Sequence, residues 1–248
     1  LEKSHAVWER ASETRVVEAV TTEALSPSER AVTVRFLVGG GAARFTARYV
    51  MAGDGSVRVT GDFTPLRTDL PDPLRVGLAF TTPAMLDTLQ WYGRGPHESY
   101  ADRRTSAPIG LWRGRVADQN HDYIRPQETG NKVDVRWLEL SGAGRGLRVK
   151  GERPLSVNAL AFPYDDLMRR KPGTRKSSDI VPHGEGTLLI DARQAGIGGD
   201  TQWSQVGRAM PQYRIPVAPL SWSFTLRPFQ DGGTAPGAAR PASATGAE

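Results

Sequence analysis

Cysteine is absent from the 248 residues, which excludes disulfides and thiolate metal sites. Lysine is scarce, at Lys3, Lys132, Lys150, Lys171 and Lys176 only, although the net charge is +5. Arginine therefore carries most of the positive charge. The arginines are spread singly between apolar residues, whereas a nucleic-acid footprint clusters them on one face. The one compact basic run, Arg169-Arg170-Lys171 with Arg175-Lys176, falls in a Pro/Gly stretch and reads as a solvated loop. No apolar run approaches the roughly 20 residues that span a bilayer. Neither nucleic acid nor membrane is an expected partner.

Long amphipathic helical patterns are also missing. That excludes folds in which helices alternate with parallel strands, the (β/α)₈ barrel among them. The chain opens on Leu1-Glu2-Lys3-Ser4, with neither Met nor a signal-peptide pattern. It reads as a piece of a longer product, with the cytoplasm as its expected compartment.

What is present is period-two alternation. Val32, Val34 and Phe36 share a face opposite Thr33 and Arg35; Phe45, Ala47 and Tyr49 repeat the pattern. The turn Gly53-Asp54-Gly55 then leads to Val57 and Val59. Asp-Gly between two alternating runs signals a hairpin. Further strands are predicted over 74–80, 86–92, 132–140, 146–150, 155–162, 186–191 and 220–227. The run 16–25 fits helix or strand, and 165–170 fits one or two helical turns before Pro172. Many strands with Gly/Pro punctuation predict an all-β fold, a large antiparallel sandwich. From Gly232 onward no large apolar residue occurs. The expected organisation is one domain over 1–231 and a disordered tail over 232–248.

Three segments stand out. The first runs Trp91-Tyr92-Gly93-Arg94-Gly95-Pro96-His97-Glu98-Ser99-Tyr100-Ala101-Asp102-Arg103. Its glycines and proline set a tight turn, and Arg94, Glu98, Asp102 and Arg103 are spaced to hold the loop by charge-assisted hydrogen bonds. The second is Tyr123-Ile124-Arg125-Pro126-Gln127-Glu128-Thr129-Gly130-Asn131. Gln127, Glu128 and Asn131 suit a sugar's hydroxyls and suit bonding within the loop equally well. The third is Asp191 to Ser204, containing Gly196-Ile197-Gly198-Gly199-Asp200 and then Thr201-Gln202-Trp203. It lacks the strand, G-x-G-x-x-G, helix context of a nucleotide site. Its glycines allow positive φ or close backbone approach.

In this order the three segments resemble the C-terminal domain of family 2 β-galactosidases. The family shows a Trp-aromatic/Leu-Gly-x-Gly-Pro-x-Glu-x-Tyr-x-Asp-Arg block, a Pro-Gln/Ser-Glu-x-Gly-Asn block and a Gly-x-Gly-Gly-Asp-x-x-Trp block. The segment Asn158…Phe162-Pro163-Tyr164 and the run Arg75-Val76-Gly77-Leu78 also fit. The likeness extends from about His5 to Gln230. It implies a galactose-mutarotase-like supersandwich. It implies that Trp203, with Asp200 in the same block, binds the galactoside from outside the catalytic barrel. Where the family has Asp-Ser-Trp, this chain has Thr201-Gln202-Trp203. The family's domain also begins earlier than this chain, so an unpaired strand edge is expected.

Retaining glycoside hydrolysis needs two carboxyl groups about 5–5.5 Å apart. The resemblance puts both, with the family's Mg and Na sites, on a (β/α)₈ barrel outside this chain. No catalytic residue, metal ligand or cofactor is therefore expected here. The implied partners are the galactoside, the parent barrel and, by analogy, further copies of the enzyme. Two other readings stay open. One is a free-standing aldose mutarotase using His97, His121 or His183 with Glu98, Asp122 or Glu185 as acid and base. The other is a non-catalytic carbohydrate-binding module.

Overall fold

A computed structural model describes residues 2–124, 126–168, 176–180, 182–201 and 207–230. The predicted tail over 232–248 lies outside the described residues, as does Trp203.

A short helix α1 (Glu2–Glu9) leads into β1 (Val16–Ser26), β2 (Glu29–Val38), β3 (Ala43–Ala52), β4 (Val57–Pro65) and β5 (Arg75–Pro83). Then follow β6 (Thr88–Arg94), β7 (Ile109–Arg115), β8 (Lys132–Gly142) and β9 (Arg145–Leu160). A single helical turn α2 (Asp165–Met168) precedes β10 (Glu185–Gln194) and β11 (Leu220–Gln230). Every pairing is antiparallel. The strand order is β1-β2-β3-β4-β11-β9-β8-β6-β7, with β10 joining β9 to β5.

The ambiguous run 16–25 is a strand, because its valines pair with β2 in register, Val20 opposite Val34. The turn Gly53-Asp54-Gly55 forms as predicted. Gly55 takes φ +79°, and Asp54 accepts hydrogen bonds from the Ser56 backbone N–H at 2.9 Å and its hydroxyl at 2.6 Å. The two runs predicted over 146–150 and 155–162 are halves of one long strand, β9. Its first half pairs β11 and its second half β10. Pro154 sits at the change of partner, where a missing N–H costs no ladder bond. Strand β7 escapes sequence reasoning because Gly110 and Gly114 depress its strand propensity.

The strands form two facing layers. Phe80 of β5 meets Phe224 of β11 edge-on at 6.2 Å, although among the described residues β5 pairs only with β10. Around this contact lie Val59, Phe63, Val76, Leu138, Leu188, Ile190 and Trp222, all buried. Burying each large side chain contributes about 1.5–3 kcal/mol. At one end Trp8 of α1 packs on Phe63 at 5.9 Å and donates its indole N–H to the Pro71 carbonyl at 2.8 Å.

Candidate functional site

The three motif segments are far apart in sequence and meet at one end of the sandwich. Glu98 joins the first to the second. Its carboxylate accepts hydrogen bonds from the Tyr100 hydroxyl at 3.1 Å, Arg103 at 3.3 Å, the Gly130 backbone N–H at 2.8 Å and the Tyr123 hydroxyl. Asn131 continues the seam. Its amide donates to the Ser99 carbonyl at 3.0 Å, its side-chain oxygen accepts from the Ser156 hydroxyl at 3.0 Å, and its carbonyl accepts from the Ser99 N–H at 2.8 Å.

Asp102 joins the first segment to the third. One carboxylate oxygen accepts the Gly198 N–H at 2.8 Å. Gly196 makes that approach possible: a Cβ there would stand 2.7 Å from the Asp102 carboxyl carbon and 2.9 Å from Tyr213 Cβ. Neither Gly196 nor Gly198 takes positive φ. Close backbone approach is therefore what the third block's glycines supply here. The loop then emerges at the exposed Asp200.

Arg94 bonds both within its own loop and to the sheet. Its guanidinium pairs with Asp134 of β8 at 2.6 Å and donates to the carbonyls of Arg104 and Ala107, both at 3.0 Å. It fastens the far end of the loop to the sheet. Gln127 is exposed on the loop surface. The peptide Gly95–Pro96 is cis.

Glu128 leads to a second, deeper cluster. Arg75 of β5 pairs with Glu128 at 2.8 Å and with Asp191 of β10. Glu128 also accepts from the Tyr164 hydroxyl and the Asn158 amide, both at 3.2 Å. Asn158 further donates to the Thr129 carbonyl at 2.6 Å. The Asp191 carboxylate is 1% exposed. Burial pushes it up to about 7, against the pull of the Arg75 cation and with help from the Glu128 charge. Burial opposes the Arg75 charge, yet the two carboxylates hold it firmly protonated. Burial and the same carboxylates raise the Tyr164 hydroxyl well above its ordinary value.

Lys132 completes the site from beneath. It is 1% exposed, donates to the Gly130 carbonyl at 2.8 Å and lies 5.2 Å from the Trp91 ring centroid. Burial pulls its ammonium down to about 8, while the Glu98 charge works the other way.

Arg75, Asp134 and Lys132 were not among the predicted loop-holding residues. Arg75 carried a signal, because it lies in the run that fits the family. Asp134 and Lys132 read as ordinary strand positions. The candidate acid/base pairs of histidine and its neighbour do not assemble. His97 bonds the Ser106 hydroxyl at 3.2 Å, His183 pairs with Asp166 at 2.6 Å and His121 packs against the Tyr123 ring. Glu98 and Glu128 spend their oxygens on the donors named above. Their chemistry is that of braces between loops.

Residues 2–226 match the family described as the β-galactosidase small chain. The chain belongs to that family. The β-galactosidase of Priestia megaterium is 34% identical over 230 residues, 90% of this chain and 21% of that protein. The β-galactosidase BgaC of Bifidobacterium adolescentis is 35% identical over 75% of this chain and 18% of that protein. This small-chain stretch thus spans about a fifth of the length of the curated relatives it matches. Among solved structures, galactose 1-epimerase from Lactobacillus acidophilus superposes with a TM-score of 0.43 at 10% identity, over 86% of this chain and 67% of that one. Among the described residues no helix is long and apolar enough to cross a membrane, and no group of three His, Cys, Asp or Glu could hold a metal ion.

Proposed function

We propose that this chain is the non-catalytic, site-completing part of a retaining, family 2 β-galactosidase of the cytoplasm. The reading is carried by the Asp102–Gly198 bridge, which fixes the loop leading to Asp200 against the first motif block. That loop continues to Trp203, whose indole offers a flat apolar face to the C–H side of a galactoside, while Asp200 supplies a hydrogen-bond acceptor. Bond cleavage belongs to a carboxyl pair on a (β/α)₈ barrel elsewhere in the enzyme. Any Mg or Na belongs to that barrel on this reading.

Holding the sugar in a reactive geometry lowers the barrier without any proton transfer from this chain. The braces at Glu98, Asp102 and Glu128 serve that purpose by restricting the loop. Partners on this reading are the galactoside, the barrel and further copies of the enzyme. The test is Trp203→Ala in the whole enzyme. The expected result is a KM for galactosides raised tenfold or more, about 1.4 kcal/mol, with Trp203→Phe recovering part of it. Unchanged kinetics would remove Trp203 from the site. Product NMR should show the β-anomer of galactose first; initial release of the α-anomer would exclude retention.

A further inference from the structure

Strands β6, β7 and β8 present two unlike faces. One carries the buried Leu89, Trp91 and Leu138 into the core. Across the other, register puts Leu111, Tyr92, Trp137 and Lys150 of β9 in one row. The neighbouring row runs Arg113, Gln90, Glu139, Arg148. Leu111 and Tyr92 are 56% and 40% exposed, and Trp137 is half-buried. Exposed apolar side chains grouped inside a polar rim mark interaction surfaces.

Charge divides this outer sheet face in two. Toward β11 and β1–β4 its arginines hold carboxylates: Arg227–Asp54 at 3.2 Å, Arg58–Glu152 at 2.6 Å, Arg48–Glu23 at 3.1 Å and Arg44–Glu18 at 2.7 Å. Beside the apolar row the cations differ. Arg113 and Lys150 are exposed and Arg136 is half-buried, and among the described residues none of the three pairs with a carboxylate. Glu139, the acid in the adjoining row, is taken by Arg148. Unneutralised cations of one sign around an apolar strip attract an anionic partner.

Arg136 is already set in position. A register shift between Val135 and Trp137 brings it beside the row, where its guanidinium lies 5.6 Å from the Tyr92 ring centroid and donates to the Asp134 carbonyl at 2.6 Å. Its planar fork keeps further N–H groups for a carboxylate, and a cation held this way loses little freedom on binding. A second copy of the chain does not fit, because two such faces would set cation against cation. Neighbouring strands lie about 4.8 Å apart. An extended anion crossing β7, β6, β8 and β9 therefore meets Arg113, Arg136 and Lys150 in turn. A polymer of uronate sugars brings a carboxylate and an apolar C–H ring face at each step, which matches cations interleaved with Leu111, Tyr92 and Trp137.

We propose that this face binds an anionic polysaccharide, its carboxylates on Arg113, Arg136 and Lys150 and its sugar rings against Leu111, Tyr92 and Trp137. The choice of a glycan rests on the galactosidase reading given above, whereas the demand for an anion rests on the unpaired cations. The site is built from strand positions, none of them among the loop residues of the proposed galactoside site. It holds a polymer on the surface and takes no part in cleaving it.

The test uses polygalacturonate as the probe, with neutral galactan and single-stranded DNA as comparisons. In isothermal titration the 248-residue chain should bind polygalacturonate and leave neutral galactan unbound. Arg113→Gln with Lys150→Gln should raise Kd for polygalacturonate roughly tenfold or more, and Tyr92→Ser should raise it by a smaller factor. Tm should stay close to wild type, because these side chains are exposed. Arg44→Gln with Arg48→Gln removes the same charge from the paired half and should leave Kd nearly unchanged. No binding of polygalacturonate, or equal loss in the two double variants, overturns the proposal. So does DNA binding as tight as that of polygalacturonate and lost in the same variant, since a nucleic acid would then be the occupant. Galactoside hydrolysis by the whole enzyme, measured separately, keeps the two readings apart. Hydrolysis without polymer binding removes this inference alone, and polymer binding without hydrolysis keeps it and sinks the galactosidase reading.

Discussion

Asp102 and Gly198 stand 96 residues apart in sequence and are joined by one hydrogen bond of 2.8 Å from the glycine N–H to the carboxylate. It is the contact that ties the first motif block to the loop bearing Asp200. Gly196 beside it packs so closely that a side chain cannot be inserted without displacing Asp102.

Gly196→Ala should therefore detach the loop with little effect on the core. Overpacking of this kind costs about 1–3 kcal/mol. In the whole enzyme KM should rise while kcat changes little, and the Tm of the sandwich should fall only slightly. A large fall in Tm with unchanged KM would show the bridge to be merely structural.

Arg75→Met should be far more damaging. It leaves the half-buried Glu128 and the buried Asp191 without their cation. Removing one partner of a buried pair costs about 3–5 kcal/mol. Urea unfolding measures this directly. Adding Asp191→Asn to Arg75→Met should restore part of the loss, and strict additivity would mean the two residues do not share an interaction.

The Asp191 carboxyl also predicts a pH dependence. Its folded-state pKa, about 7, lies above the ordinary carboxylate range near ~4. The folded chain thus holds this proton where the unfolded chain has released it. The contribution is full below about pH 4 and is lost as pH rises through about 7. The wild type minus Asp191→Asn stability difference should decline over that interval in urea titrations.

Lys132 predicts the opposite slope at higher pH. Its folded pKa of about 8 lies below the ordinary lysine value near ~10.4. Between these values the unfolded chain binds the extra proton, so stability rises with pH across the window and is lost as pH falls through about 8. Lys132→Met should flatten the rise, which amounts to roughly 3 kcal/mol at most. Parallel curves for the two proteins from pH 7 to 10 would refute the burial of a titrating amine.

Glu98→Ala removes the acceptor for the buried Tyr100 hydroxyl and the Gly130 N–H. Each orphaned buried donor costs about 1–3 kcal/mol. Tm should fall clearly, and proteolysis should then cut first between residues 98 and 131. Unaltered cleavage sites would mean the seam is held by Asn131 and Ser99 alone.

Much of this is legible in the sequence alone. Alternation placed β2, β3, β4 and β11 and the Asp54-Gly55 turn, because a strand's faces are written in its own local sequence. The motif blocks point to Arg94, Glu98, Asp102, Arg103, Gln127, Glu128 and Asn131; in the structure Glu98, Asp102, Glu128 and Asn131 bond between segments and Gln127 is exposed. Their particular partners were not legible. Arg94 bonds carbonyls of its own loop and also reaches Asp134, 40 residues away. Strand β7 was hidden by glycines, and the two halves of β9 by a proline.

The sequence by itself determined the strand periodicity, the turn chemistry, the family and the absence of thiol chemistry. Each of these depends on residue type and short-range spacing alone. Tertiary structure decided which charges meet, as with Arg75 and Asp191 at 116 residues' separation, and what burial then does to them. It also decided that, among the described residues, Val17 and Val20 on the apolar face of β1 stay exposed. Local sequence states that a face is apolar, and only the packing of one layer over another states whether water still reaches it.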